Sequence, residues 1–175
     1  LHRRVYPAGN RLTAAWIILA LVAAQRLGEL LYSRRNEARL RAQGGVEVGA
    51  GHYPLFFLVH GGWLAALALW VGPDTAVNWW WLAVFALLQI GRVWVLASLG
   101  PYWCTRIITL PGAPLIKTGP YRWLRHPNYL VVAGEVAVLP LVFSAHGIAI
   151  TFSILNALLL VHRIRVESTA LQDRC

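Results

Sequence analysis

The sequence predicts an all-α fold, a polytopic membrane bundle of about five transmembrane helices closed by a C-terminal helix-turn-helix hairpin. Three observations predict it. Hydrophobic residues make up 58% of the chain and charged residues 13%, whereas charged residues are about a quarter of an ordinary soluble domain. The apolar residues fall in runs near the ~20 residues that a crossing helix needs. Arginines gather between these runs, as expected of segments facing anionic lipid at the cytoplasmic surface. That distribution also argues against nucleic acid as the partner behind the net charge of +9, because the cations form no single stripe.

Thr13 to Leu31, apolar apart from Gln25, Arg26 and Glu29, is the first predicted span. It lacks an Ala-x-Ala cleavage pattern and is expected to be retained; the absence of methionine implies that the numbering starts after the native initiator. Arg26 and Glu29 stand three apart on one helical face. Charges at membrane depth usually pair, face a cavity or lie near the interface; snorkelling of both at the helix end is the alternative. Ser33 to His52, with Arg34, Arg35, Arg39 and Arg41, reads as the same helix leaving the membrane and ending at Gly44 and Gly45.

Tyr53 to Val71 is the second span, interrupted by His60, Gly61 and Gly62. The glycines suit close helix packing, and a ligand border is the other reading. Val77 to Leu99 is the third, opened by Trp79, Trp80 and Trp81 where an interfacial aromatic belt belongs. Arg92, with Gln89 nearby, is either an interfacial cation or part of a buried polar site. Gly100 to Asn128 is too rich in Pro, Gly and charge to span. Tyr129 to Phe143 and Gly147 to Val161 form the hairpin, each alone marginal for a crossing, with Pro140 expected to bend the first. The tail from His162 reads as a helix emerging into water.

Residues 1–175 therefore read as one integral-membrane domain, with three spans over 13–99 and a loop, hairpin and tail over 100–175. The positive-inside rule puts the 33–52 loop, the 100–128 loop and the C-terminus on the cytoplasmic side and the N-terminus outside, against the opposing vote of Arg3, Arg4 and Arg11. Cys104 and Cys175 are far apart with no CxxC partner, which argues against a disulfide framework or structural zinc.

Chemistry concentrates in Lys117 to Tyr129 and the helix that follows. Asn128 and Tyr129 open that helix, whose unpaired N–H groups attract carboxylates or phosphates, and Arg122 and Arg125 add positive charge. Glu135 lies under two turns further on and should face Arg125, Arg92, Arg163 or a ligand. The bland reading, that the loop merely anchors to lipid headgroups, does not account for the ordered Gly-Pro-Tyr, His-Pro and Tyr set or for a glutamate inside the helix.

Gly119-Pro120-Tyr121, Arg125-His126-Pro127-Asn128-Tyr129, the apolar hairpin, Arg163-Ile164, Glu167 and Leu171 resemble the C-terminal signature of the isoprenylcysteine carboxyl methyltransferase family. Upstream, Gln25-Arg26, Glu29, Arg34-Arg35-Asn36-Glu37 and His52-Tyr53 are similar to a compact bacterial branch, some members of which are associated with O-methylation of alkylpyrone or alkylresorcinol lipids. The resemblance implies a bundle that binds S-adenosyl-L-methionine at its cytosolic face and takes a lipophilic substrate from the bilayer. It further implies that Lys117, Gly119, Pro120, Tyr121, His126, Pro127, Tyr129 and Glu167 form the cofactor pocket, and that Arg125, Glu135 and Arg163 border the transfer point. Where the family often has a Glu-Glu pair, this chain has Glu167-Ser168, so either one acid suffices or the cofactor's hydroxyls are held differently.

Methyl transfer is an in-line displacement that asks the protein for alignment and exclusion of water; it requires no metal. A carboxylate acceptor is ionised at neutral pH and needs only an arginine, whereas a phenol with a reference pKa near 10 must lose a proton, to Glu135 or His126 for example. Membrane reductases of the sterol type share the His-Pro-Asn-Tyr segment and use NADPH, but there an acidic residue follows the tyrosine almost at once, whereas Leu130 to Ala133 intervene here. A small transporter or assembly subunit is the reading of another class; the chain shows no internal repeat of the transporter kind.

Overall fold

The computed structural model describes residues 13–113 and 116–172; the basic opening segment with Arg3, Arg4 and Arg11, as well as Pro114 and Cys175, lies outside the described residues. Among those described, five α-helices follow one another: α1 (Ala14–Ala42), α2 (Tyr53–Trp70), α3 (Trp79–Leu99), α4 (Pro127–Val142) and α5 (His146–Gln172). Helices α1, α2, α3 and α5 are long and apolar enough to cross a membrane, and α4 is a shorter apolar helix. The chain is an integral membrane helical bundle.

At 1.5 Å per residue α1 runs about 43 Å, well beyond the ~30 Å of a hydrocarbon core. Its last turns carry Arg34, Arg35, Arg39 and Arg41 clear of the apolar run, and its end is closed by Gly45 N–H on Leu40 O at 2.8 Å. Helix α5 is longer than its apolar run alone implies. No glycine or proline follows Val161, so the run continues unbroken into the tail.

The α4–α5 hairpin turns through Phe143 and Ser144, the latter at φ 54°. Pro140 stands two residues before the end of α4. Carbonyls orphaned at that end are taken by neighbours: Asn78 N–H bonds Val142 O at 2.8 Å and Trp70 Nε1 bonds Phe143 O at 3.0 Å. The same Asn78 caps α3 through its side chain, which accepts from Trp80 N and Trp81 N. The hairpin is thereby tied to the α2–α3 connection.

One end of the bundle is solid. Leu19 and Val22 of α1, Trp63 and Leu67 of α2, Phe85 of α3 and Leu139 of α4 form its buried core, held by close packing, since lipid is as apolar as leucine. Gly134 brings α4 against α3: a Cβ there would stand 2.9 Å from Leu88 Cδ2. The other end is polar and hollow.

Candidate functional site

The polar end is built on α1. Ser33, Asn36 and Leu40, spaced for one helical face, are buried, and they hold the start of the 100–128 loop. Ser33 Oγ accepts from Thr105 N–H at 2.8 Å, and Asn36 Nδ2 donates to Trp103 O at 2.8 Å. A two-residue pairing, β1 (Val46–Glu47) with β2 (Ile108–Thr109), pins the next part of the loop antiparallel to the α1–α2 connection. Glu47 ties both sides, taking Arg106 Nη1 at 2.5 Å and Arg41. Burial works to raise its carboxyl, but these hydrogen bonds outweigh that and hold it below the ordinary range. The loop is thus laid across the open end of the bundle, and among the cavities it borders two share a wall.

The outer cavity, of about 230 Å³, is lined by Tyr121, Arg125, His126, Tyr129, Arg163 and Glu167 among others. Gly119 positions this side: at φ +56° it takes a left-handed conformation, and a Cβ would stand 2.1 Å from Ser98 Oγ. The Gly119–Arg122 turn is therefore pressed against α3. Pro127 occupies the first position of α4, where a missing N–H costs nothing, and His126 stacks on Tyr129 with ring centroids 5.5 Å apart. The His126 Nδ1 lies 3.7 Å from Glu167 Oε2. Tyr129 Oη donates to the same carboxylate and accepts from Arg163 Nε at 2.8 Å. Burial pushes the Tyr121 phenol up, with the nearby Glu167 charge adding to it, so that hydroxyl stays protonated.

The inner cavity, of about 190 Å³, runs between the helices at membrane depth. It is mostly apolar, and it reaches the lipid-facing surface at Phe57, which lines it and is 65% exposed. One wall is a closed quartet of charges. Glu29 takes Arg92 Nη2 at 2.5 Å and Arg26 Nη1 at 2.9 Å; Glu135 takes Arg26 Nη2 at 2.8 Å and Arg92 Nη1 at 3.3 Å. Gln25 donates to Glu29 at 3.0 Å and Gln89 to Glu135 at 2.9 Å. Two cations and two anions cancel, and each carboxylate meets several donors, which is what makes buried charge tolerable in lipid.

Trp103, Cys104, Asn128, Tyr129 and Arg163 line both cavities. Arg163, 7% exposed, is held there by Tyr129, by Thr105 O at 2.5 Å and by the face of Phe56 at 5.0 Å. Three buried polar atoms in these walls have no hydrogen-bond partner: Trp63 Nε1, Trp103 Nε1 and Asn128 Oδ1. Burial, with Glu37 contributing, pushes the Cys104 thiol up to about 12, so it is not a thiolate at neutral pH.

Of the residues expected from sequence to hold the cofactor, Tyr121, His126, Tyr129 and Glu167 come together on the outer cavity. Gly119, Pro120 and Pro127 shape the backbone around it, and Lys117 is exposed. The three residues expected at a transfer point are not together. Arg125 is exposed on the outer cavity, Glu135 is sealed in the quartet on the inner one, and Arg163 lies on both. Arg26 and Glu29 pair rather than snorkel, and Arg92 belongs to a buried site. Trp63, Trp103 and Cys104 were not expected from sequence as site residues: each is an apolar-looking residue whose role depends on which atom faces the cavity. His60 and Asn128 carried a visible signal, a polar residue inside or at the mouth of an apolar run.

Two relatives span nearly the whole chain. An uncharacterized protein of Bacillus subtilis (strain 168), YpbQ, is 41% identical over 162 residues, covering 90% of this chain and 96% of its own. An uncharacterized protein of Haemophilus influenzae (strain ATCC 51907 / DSM 11121 / KW20 / Rd) is 25% identical over 166 residues, covering 89% of this chain and 93% of its own. No solved structure matches the chain. Residues 81–173, which include α4, α5 and both faces of the shared wall, match the family model for isoprenylcysteine carboxyl methyltransferases, and the chain belongs to that family.

Proposed function

We propose that this protein is an S-adenosyl-L-methionine-dependent methyltransferase that methylates an oxygen of a lipophilic substrate dissolved in the membrane. The observation that carries this reading is the shared wall: a polar cavity at the loop end and an apolar cavity open toward lipid meet at Tyr129 and Arg163. A transferase needs two ligands of opposite character brought to one boundary.

The outer cavity fits the cofactor. An orphaned acceptor, Asn128 Oδ1, looks for a partner there, and S-adenosyl-L-methionine carries donors, acceptors, a carboxylate and an aromatic ring. Tyr121, His126, Tyr129 and Glu167 would hold it, with Arg125 available to its carboxylate. When bound, it would supply a methyl group on a sulfonium. Glu167 would offer a negative charge to that cation, and the stacked His126 and Tyr129 rings would offer it an aromatic surface. Arg163 stays in place through Tyr129 and Thr105 and keeps further N–H donors for an acceptor oxygen at the boundary. The quartet forms a dry, electrically neutral wall that keeps water from the acceptor.

The end of α1, the 100–128 loop and the end of α5 meet at one end of the bundle, and all carry excess arginine. Together they support a site on the cytoplasmic side of a bacterial inner membrane. Purified protein in nanodiscs should retain labelled S-adenosyl-L-methionine and not NADPH. Lipid extracts incubated with protein and cofactor should gain one methylene mass in a single class of lipid. Retention of NADPH alone, with no methylated lipid, would overturn the reading.

A further inference from the structure

The inner cavity has one side-chain base still available. His60, on the same face of α2 as Trp63, lines it. Its Nδ1 lies 3.0 Å from Phe56 O, and a carbonyl only accepts, so Nδ1 carries the proton and Nε2 keeps its lone pair. No partner among the described residues meets Nε2.

Every other ionisable group facing this space is engaged. Glu29 and Glu135 each bind both Arg26 and Arg92, so neither is free to take a proton. Arg163 is bound to Tyr129 and Thr105. The Tyr129 hydroxyl donates to Glu167, the Tyr53 hydroxyl lies 3.2 Å from Thr105 Oγ1, and Cys104 is held as a thiol. A second observation points to a ligand: the indole N–H groups of Trp63 and Trp103, 1% and 2% exposed, are unpartnered donors in the same walls.

Resting on the methyltransferase reading above, we propose that His60 is a catalytic residue, the proton acceptor for a substrate that carries an ionisable hydroxyl, with the Trp63 and Trp103 N–H groups available to its oxygen. The substrate's O–H bond breaks and the proton passes to Nε2, giving an imidazolium protonated on both nitrogens. The electron pair stays on oxygen, which becomes the nucleophile. The two indole donors stabilise the charge that develops there. On product release the imidazolium returns its proton to water.

The test uses the full chain in nanodiscs with 4-dodecylphenol as the probe. In protein carrying 15N-labelled histidine imidazoles, the signals lost in His60→Gln identify the residue. Expected are a protonated Nδ1, an unprotonated Nε2, and a shift of the Nε2 signal when the phenol is added without cofactor. His60→Gln should bind S-adenosyl-L-methionine as the parent does, yet lose about 100-fold or more in kcat/KM for the phenol, the range for removing a general base. Its rate should recover as pH rises toward the phenol's own pKa. An Nε2–H tautomer, an Nε2 signal indifferent to the phenol, or a His60→Gln protein methylating at the parental rate would overturn the role of His60 while leaving the methyltransferase reading intact. A parent protein that binds the phenol at His60 but methylates no lipid would overturn that reading, and the proton transfer with it.

Discussion

Arg163 Nε lies 2.8 Å from Tyr129 Oη, and that hydroxyl in turn donates to Glu167. One phenol therefore joins a cation that faces both cavities to an anion that faces the outer one. Tyr129→Phe keeps the ring and its stack on His126 but removes both hydrogen bonds. Bonds to charged groups are worth about 1.5–3 kcal/mol each, so S-adenosyl-L-methionine affinity should fall by roughly 10- to 100-fold while the helices stay intact. Equilibrium binding to the nanodisc protein, with circular dichroism as the control for folding, checks this. Unchanged affinity would mean that Glu167 and Arg163 are held by other contacts.

Glu135 is 1% exposed and sealed between Arg26 and Arg92. Glu135→Gln leaves two guanidinium groups with one carboxylate inside the bundle. Breaking a buried pair from one side costs about 3–5 kcal/mol, which should show as a large drop in thermal midpoint in detergent. Adding Arg26→Gln restores neutrality, so the double variant should be more stable than the sum of the single changes by about 1 kcal/mol or more. Strict additivity would show that the four charges do not act as a unit.

How much of this was legible in the sequence depends on what each feature rests on. The helices were legible because run length and hydropathy are local properties: α2 begins and α3 ends where the apolar runs do. The Arg26–Glu29 spacing allowed a pair as well as snorkelling, Arg92 allowed a buried site as well as an interfacial one, and Glu135 inside its helix called for a partner. That all four close on one another requires α4 to lie against α3, which Gly134 permits but does not reveal. The course of the 100–128 loop was hidden for a similar reason. Ser33 and Asn36 bind its backbone atoms, and no spacing in sequence encodes such a contact. For His60 with its neighbouring glycines the sequence leaves packing and a ligand border open, since the tautomer that makes the imidazole a base follows from a backbone carbonyl four residues earlier.

Glu47 gives the loop clamp a pH dependence. Its carboxyl is held below its ordinary value of 4.5 in the folded state. A depressed folded pKa adds stability that is complete above the unfolded value and is lost as pH falls through the folded one. The β1–β2 pairing should therefore be fully protected at neutral pH and open as pH drops below about 4.5. Amide exchange at Val48, whose N–H bonds Ile107 O at 2.9 Å at the end of this pairing, corrected for intrinsic rates, reads this out. In Glu47→Gln the pairing should already be weakened at pH 7, and the acid-dependent loss should be absent.

Gly119 faces two separate constraints, and they can be pulled apart. Its φ of +56° is strained for any residue with a Cβ, at about 1–2 kcal/mol, and the added Cβ would meet Ser98 Oγ at 2.1 Å and Ser98 Cβ at 3.0 Å. Gly119→Ala should push the Gly119–Arg122 turn off α3, carrying Tyr121 out of the outer cavity, and weaken S-adenosyl-L-methionine binding about 10-fold or more, the equivalent of roughly 1.4 kcal/mol. Ser98→Gly removes the nearest obstacle but leaves the backbone strain and Trp94 Nε1 at 3.2 Å from the added Cβ. The double variant should thus regain part of the lost affinity, and its thermal midpoint should stay below that of Ser98→Gly alone. Full recovery would mean that the contact with Ser98 is the whole reason for the glycine; no recovery would mean that the left-handed backbone and the Trp94 contact are.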